Sequence, residues 1–334
     1  MAGFGHVGRA FLSLLLEKAD TLRSRYGLDF RIRAIVKSDG GLLSRSGVSP
    51  DRFRALATAP LSNQSGWRPG LTVKDALEGK RKGVFVECTP SNIRTGEPGL
   101  GHIRAALRTG WQVVTANKGP FVVDFKGLRR LARVHRLDLR FSAAAAAALP
   151  TLDVGIHSLA GSDVHSIEGI LNGTSNYILT RMGEGTPYKD ALKEAQSKGI
   201  AEHDPSLDVK GWDTAVKLLL IAGSVLELEL TLADIRVKGI TGIRPEIIRK
   251  ARQEGKSLKL IGRIDRQGDR WRAEVSPAAL DSTHPLFGVS GTNKGITFET
   301  DTMGSVTVTG GKSDPRGAAA ALLKDIIHVF AHVQ

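Results

Sequence analysis

Gly3-Phe4-Gly5-His6-Val7-Gly8 is the stretch on which the fold turns. It fits G-x-G-x-x-G, in which the glycines make a tight turn and let the backbone approach a pyrophosphate. A helix N-terminus follows, and its unbonded N–H groups take up the phosphates. Alone the pattern is weak, so its surroundings decide. Val7, Ala10, Phe11, Leu14 and Leu15 recur on one helical face directly after it. Arg31–Val36 then reads as a strand, followed by the turn-rich Ser38-Asp39-Gly40-Gly41. Gly83–Cys88 reads as another strand, His102–Thr109 as a helix stopped by Gly110, and Trp111–Thr115 as the next strand. Strands alternating with helices over residues 3–141 predict a doubly wound parallel sheet of Rossmann type. One feature departs from the fingerprint: only Met1 and Ala2 precede the glycines, where a strand is expected. The first strand is therefore expected to be missing, through a start codon placed too far downstream or a trimmed N-terminus.

Beyond Pro150 the texture changes. Residues 151–170 read as strand and loop, 174–199 as two helical stretches closed by Gly199, and Gly211–Leu228 as one long helix. Short β-like runs over 258–309 suggest an antiparallel sheet, and Arg316–Val333 reads as a helix that packs back on the first half. The expected organisation is a dinucleotide-binding domain over 1–141 with 310–334, and an α+β substrate and dimerisation domain over 142–309.

Composition narrows the class. Of 334 residues 41% are apolar and 24% charged, as in an ordinary globular protein rather than a disordered one. No apolar run reaches the ~18 residues of a membrane span, and no signal-peptide layout opens the chain. The lone cysteine, Cys88, excludes an internal disulfide and a multi-thiolate zinc site, so a reducing cytoplasm is expected. Lys plus Arg (47) exceeds Asp plus Glu (34), giving a formal charge of +13. The clusters Lys80-Arg81-Lys82 and Arg129-Arg130 with Arg133 are scattered, and only 5% of residues are aromatic. That leaves few stacking platforms, so no nucleic-acid partner is expected; the charge suits anionic small molecules. His residues show no metal-binding spacing, and a catalytic transition metal is not expected.

Four further stretches carry chemistry. Val36-Lys37-Ser38-Asp39 ends the second strand of the Rossmann pattern; Lys37 would suit a 2′-phosphate and Asp39 a free ribose hydroxyl, which favours NADP and leaves NAD open. Thr89-Pro90-Ser91-Asn92 and Thr115-Ala116-Asn117-Lys118-Gly119-Pro120 stand just past the carboxyl ends of two strands, where open α/β sheets bind ligands. Lys118 there could polarise a carbonyl. The most informative stretch runs from Gly199 to Lys217. Asp213 and Lys217 share one helical face, and Trp212, Ala215, Val216 and Leu218–Ala222 make that helix apolar on almost every side. An ion pair on such a helix is expected to face a cavity across from the dinucleotide, because buried charge is costly unless it serves a function. Glu202 and Asp208 add carboxylates suited to an ammonium group.

These pieces together resemble homoserine dehydrogenase in its short monofunctional form, without an ACT domain. The resemblance rests on Gly3–Gly8, Glu87–Asn92, Thr95–Leu100, Val114–Pro120, Leu171–Tyr177 and Glu202–Lys217, and it spans almost the whole chain. It implies reversible NAD(P)H-dependent reduction of L-aspartate 4-semialdehyde to L-homoserine, a step towards threonine and methionine, by a homodimer. By position it implies Lys118 and Lys217 as catalytic lysines. Glu202, Asp208, Asp213, Gly173 and Thr174 would line the substrate pocket. Gly3, Gly5, His6, Val7, Gly8, Lys37, Thr89, Pro90, Asn92 and Lys118 would contact the cofactor. The family binds a monovalent cation through main-chain carbonyls, here near Ala145, Ala147 and Leu149. The chain departs from the family there, with Ser142 and six alanines in place of a glutamate and a glycine-rich turn, which reduces backbone freedom. The loop Gly310–Gly317 is also atypical. Two other readings stand beside this one: an aldehyde dehydrogenase acylated at Cys88, and a non-catalytic NADP-binding homologue.

Overall fold

The glycine loop is where the backbone is most tightly constrained. Gly3 sits at φ +85°, and a Cβ there would stand 2.4 Å from the carbonyl oxygen of Cys88. A Cβ on Gly8 would stand 2.5 Å from the carbonyl oxygen of Gly3, so the turn folds back onto its own helix. These details come from a computed structural model, which describes residues 1–48, 60–79, 83–311 and 313–330. The Lys80-Arg81-Lys82 cluster, Lys312 and the end of the expected final helix lie outside the described residues.

The chain divides into two compact units, Met1–Ala147 with Asp314–Gln334, and Ala148–Ser313. In the first, α1 (His6–Glu17) buries Phe11, Leu12, Leu14 and Leu15, as its period predicts. Phe11, Leu14 and Leu15 join Val86, Val114, Ala319, Leu322, Leu323 and Ile326 in one apolar cluster. The last four belong to the C-terminal helix (Pro315–Phe330). Arg316 of that helix grips Glu17 through two hydrogen bonds of 2.6 and 2.9 Å, which pull the Glu17 carboxyl down to about 2.

Ala2 is the hinge of the first unit's strands. It pairs in parallel with Val36 of β1 (Ile32–Lys37) on one side and with Glu87 of β4 (Val84–Glu87) on the other. Its N–H donates to Val86 O at 2.9 Å, and its carbonyl accepts from Cys88 at 2.8 Å. The central strand is thus reduced to Met1–Ala2. Beyond Met1 an apolar cavity of about 560 Å³ opens, lined by Ile32, Ala34, Val84 and Phe85 among others. The Met1 ammonium is buried at its end, donates to Ala34 O at 2.7 Å, and is pushed down to about 6 by desolvation.

The expectation of a wholly parallel sheet needs correcting. On one side β4, β5 (Gln112–Thr115) and β6 (Leu139–Arg140) are parallel, connected through α4 (Gly99–Arg108) and α5 (Gly119–His135). On the other, β1 turns directly into β2 (Gly40–Val48), which pairs with β3 (Trp67–Pro69), and both pairings are antiparallel. Ser38-Asp39 is too short for a crossover, which needs a dozen or more residues, so it closes a hairpin. Gly40, at φ +147°, lets β2 pass within 2.5 Å (Cβ position to Arg68 O) of β3. A short α3 (Val73–Leu77) precedes β4, and α2 (Ala19–Tyr26) follows α1.

In the second unit six strands run in the order β12-β11-β7-β9-β10-β8. They are β7 (Val164–Ile170), β8 (Ile235–Val237), β9 (Ser257–Gln267), β10 (Arg270–Leu280), β11 (Lys294–Thr300) and β12 (Ser305–Gly310). All pairs are antiparallel except β10 with β8. The antiparallel sheet expected over 258–309 is present, with β7 inserted between β11 and β9. Residues 151–158 form helical turns where loop and strand were expected. Three helices pack on β9: α7 (Gly173–Gly183), α10 (Trp212–Val225) and α11 (Pro245–Gln253). α8 (Tyr188–Ser197) packs on α7, and α9 (Ser206–Val209) leads into α10.

Gly3→Ala combines a disfavoured φ with a clash against the Cys88 carbonyl. It is expected to cost about 2 kcal/mol, read as a lowered urea midpoint, whereas an unchanged midpoint would contradict the packing described.

Candidate active-site residues

In the first unit, β1, Ala2, β4 and β5 point the same way, so their carboxyl ends form one edge. Lys37 ends β1; Gly3–Gly8 follow Ala2; Thr89–Asn92 follow β4; Asn117 and Lys118 follow β5. Gly5 is the informative glycine. Its φ is −80°, and a Cβ there would meet nothing within 4 Å, so neither the backbone nor the packing demands glycine at this position. A ligand passing close to the backbone would. Gly5 caps α1 without a side chain, and no acidic residue stands in the first turn, which suits phosphate oxygens. His6 is exposed and Val7 half-buried beside it. The Lys37 ammonium lies 3.3 Å from Asp39 and 5.9 Å from the centre of the Trp67 ring.

The loops after β4 and β5 are tied together from below. Glu87 is fully buried, and one of its oxygens accepts from both the N–H (3.0 Å) and the hydroxyl of Thr89. Thr115 donates to the other oxygen at 3.3 Å and accepts from Asn117 N–H at 2.9 Å. Asn117 donates to the Thr89 hydroxyl (3.2 Å) and Pro90 O (3.4 Å), and accepts from Gly119 N–H. Lys118 N–H donates to Ser91, and Asn92 spends its side-chain oxygen on the N–H groups of Arg94 and Thr95. Gly119 lets these loops touch, since a Cβ there would stand 2.4 Å from Asn92 O.

The second unit gathers a charged cluster at the start of α7 and α10. Asn172 caps α7 by accepting from Ser175 N–H, and its amide nitrogen donates to Asp208 (2.7 Å) and Asp213 (2.8 Å). Asp213 meets the Lys217 ammonium at 2.7 Å, and that ammonium also donates to Leu171 O at 2.9 Å. The side chains of Lys217 and Asp213 are only 15% and 7% exposed, so this is a desolvated pair rather than a surface one. Two of the ammonium's three hydrogens are thereby directed. Burial raises the Asp208 carboxyl above its ordinary range; Asp213's charge adds to this, and Asn172 and Lys217 offset part of it.

Thr174 is buried near this cluster and donates to Ile200 O. Gly173 is required by packing, because a Cβ would lie 2.7 Å from the Ser313 hydroxyl and 2.8 Å from Thr292 O. Glu202 stands apart: it is exposed, and among the described residues no hydrogen bond joins its carboxylate to the cluster. At the alanine run, α6 (Ser142–Ala146) buries Ala145, and Ala147 takes φ +52° where glycine would be unstrained. Leu149 O accepts from Thr151 N–H. Among the described residues no group of three or more His, Cys, Asp or Glu could hold a metal. Burial and the Glu87 charge push the Cys88 thiol far up, the reverse of what an acylating cysteine needs. The sequence alone assigns no role to Asn172, Glu87, Thr115 or Leu171 O, although all four lie in the stretches that carry the resemblance. The cap pattern at Asn172 was the one local signal available.

A family model described as homoserine dehydrogenase matches residues 150–327, and one described as homoserine dehydrogenase, NAD binding domain, matches residues 3–142. The homoserine dehydrogenase of Methanocaldococcus jannaschii is 37% identical, covering 99% of this chain and 97% of that one. The NAD(+)-dependent homoserine dehydrogenase of Pseudomonas canavaninivorans is 34% identical, covering 98% and 95%. Among solved structures, a protein of Archaeoglobus fulgidus assigned as a homoserine dehydrogenase superposes with a TM-score of 0.87 at 33% identity, covering 99% and 98%.

If Gly5 is glycine for a ligand's sake, Gly5→Ala should unfold at the wild-type midpoint yet bind a nicotinamide dinucleotide roughly tenfold or more weakly by titration. Equal affinity would show that nothing approaches the backbone there.

Proposed function

The chain belongs to the homoserine dehydrogenase family, and from that premise we propose that Lys217 and Lys118 carry its reaction and that NADP serves it, with NAD as the alternative. The enzyme is a nicotinamide-dependent oxidoreductase acting on a CH–OH group, and its reaction is the reversible reduction of L-aspartate 4-semialdehyde to L-homoserine. The observation that carries the residue assignment is the buried Asp213–Lys217 pair joined through Asn172 to Asp208.

A bound nicotinamide cofactor supplies or removes the hydride. The protein's own residues handle the charge and the proton. Asp208, partly buried and acceptor-only when ionised, is suited to the substrate's ammonium group, with Thr174 and Gly173 close in sequence to its Asn172 partner. Lys217 is fixed by Asp213 and Leu171 O, so its remaining hydrogen can be donated to the oxygen that becomes alkoxide as the aldehyde is reduced. In the oxidising direction the same nitrogen, having lost its proton, takes one back from the hydroxyl. Lys118 is assigned to the reaction by its match to the family's motif, in a loop whose flanks Asn117 and Gly119 are both hydrogen-bonded. Glu202 is kept as a mouth residue attracting the substrate cation.

Lys37 supports NADP, because a 2′-phosphate offers its ammonium more charge than Asp39 alone. Asp39 supports NAD in the same place. We further propose a homodimer formed through the second unit, and work in a reducing cytoplasm, in keeping with the lone, half-buried Cys88. Among the described residues no helix is long and apolar enough to cross a membrane.

The direct assay follows the absorbance of reduced cofactor with purified protein, L-homoserine, and NADP+ or NAD+ in turn; no reduction with either would overturn the residue assignments. Lys217→Ala should lower turnover by about a thousandfold while cofactor affinity holds, and near-normal turnover would remove Lys217 from the mechanism. The pH profile tests Asp208. Its pKa is raised, so it takes up its proton at a higher pH than an ordinary aspartate, and KM for homoserine should climb as pH falls through that value. Asp208→Asn should show a high KM with that acid limb absent.

A further inference from the structure

Glu87 is a fully buried carboxylate at the end of an otherwise apolar strand, and no role in substrate or cofactor contact has been given to it. Burying a carboxylate is costly, and an apolar side chain would fill the same space without that cost. What the carboxylate adds is acceptors. One oxygen holds both the N–H and the hydroxyl of Thr89; the other lies 3.3 Å from the Thr115 hydroxyl, which is shared with the main-chain Glu87 O at 3.1 Å. From these two threonines the connections run on to Asn117, through the Thr89 hydroxyl to its amide nitrogen and through the Thr115 hydroxyl to its N–H. Asn117 in turn holds Gly119 N–H, so the backbone on both sides of Lys118 is anchored to a single side chain two strands' ends away. His102 Nδ1, 3.7 Å from the same carboxylate, is too distant for a hydrogen bond and meets it as an ion pair only when protonated.

We propose that Glu87 is a positioning residue: through Thr89 and Thr115 it sets the placement of the Lys118 loop, and thereby cofactor affinity and turnover. Its action is by acceptor geometry rather than by net charge. A glutamine in its place keeps the set complete. Its oxygen takes both Thr89 donors, and its amide donates to the Thr115 oxygen, whose own hydrogen turns to Glu87 O, already 3.1 Å away. Leucine at the same place keeps the volume and removes both side-chain acceptors, leaving only the main-chain carbonyl to the Thr115 hydroxyl.

The kinetic arm of the test rests on the reading of Lys118 and the nicotinamide given above; the exchange arm does not. Amide hydrogen exchange, cofactor titration and steady-state kinetics are compared for wild type, Glu87→Leu, Glu87→Gln and Thr115→Val. In Glu87→Leu the amides of Asn117 and Gly119 should exchange faster by about tenfold or more, with weaker cofactor binding and a kcat lower by about a hundredfold. Thr115→Val, isosteric and missing one link, should move the same amides and constants in the same direction by less, and it keeps the proposal testable if Glu87→Leu does not fold. Glu87→Gln should stay within about threefold of wild type in all three readings. Unchanged exchange in both Glu87→Leu and Thr115→Val would overturn the proposal, as would a Glu87→Gln as impaired as Glu87→Leu, which would point to charge. A wild-type protein that binds no nicotinamide would instead sink the functional reading, with the exchange arm still deciding the role of Glu87.

Discussion

A lysine ammonium withheld from water, with an aspartate on one side and a main-chain carbonyl on the other, is the constraint around which the second unit is built. Lys217 and Asp213 lie on α10, whose remaining turns are buried among apolar neighbours. A buried ion pair is poor evidence of stability, since well-packed apolar residues of like volume serve as well or better, whereas removing one partner leaves an uncompensated charge. Here a third acidic group, Asp208, is brought to the same place, and the Asn172 amide is spent on bridging the two carboxyl groups. A fold gains nothing from that concentration of charge. A substrate with an ammonium at one end and a carbonyl at the other gains two anchors and a proton source.

The first unit is ordered by a different economy, that of close backbone approach. Gly3 and Gly8 are demanded by the protein itself, while Gly5 has only open space before it. Gly119 permits contact between the two loops that Glu87 ties from beneath. Both units therefore obey one rule. Polar groups at strand and helix ends are committed inward until a small set of directions is left for ligands, and those directions are held by hydrogen bonds rather than by chain stiffness. That is the pre-organisation a hydride transfer needs, because charge forms on the substrate oxygen faster than a loose loop could reorient.

Much of this could be read from local sequence pattern. The period of α1, the glycine loop, the i, i+4 spacing of Asp213 and Lys217 and the apolar surroundings of that pair are all short-range features, and the structure places them as their spacing demands. The long-range features were out of reach. Asn172 looks like a helix cap from its neighbours, yet its amide partners lie 36 and 41 residues away, and no local pattern encodes them. Glu87 reads as the polar end of an apolar strand until Thr115, 28 residues on, is brought beside it. Ser38-Asp39-Gly40 fits either a hairpin or the start of a connection, and it is the antiparallel pairing of β1 with β2 that settles the matter as a hairpin. Glu202 is the opposite case. Proximity in sequence to Asp208 suggested a shared task, whereas its side chain is exposed and joined to none of the cluster's hydrogen bonds among the described residues.

The central claim is that the ammonium of Lys217 is the group that meets the reacting oxygen. A crystal structure with oxidised cofactor and L-homoserine bound measures this directly. The account places the homoserine hydroxyl within hydrogen-bonding reach of Lys217 Nζ, about 2.7–3.2 Å, with the amino group on Asp208. A homoserine bound with its hydroxyl turned to another donor, and Lys217 still engaged only with Asp213 and Leu171 O, would contradict it.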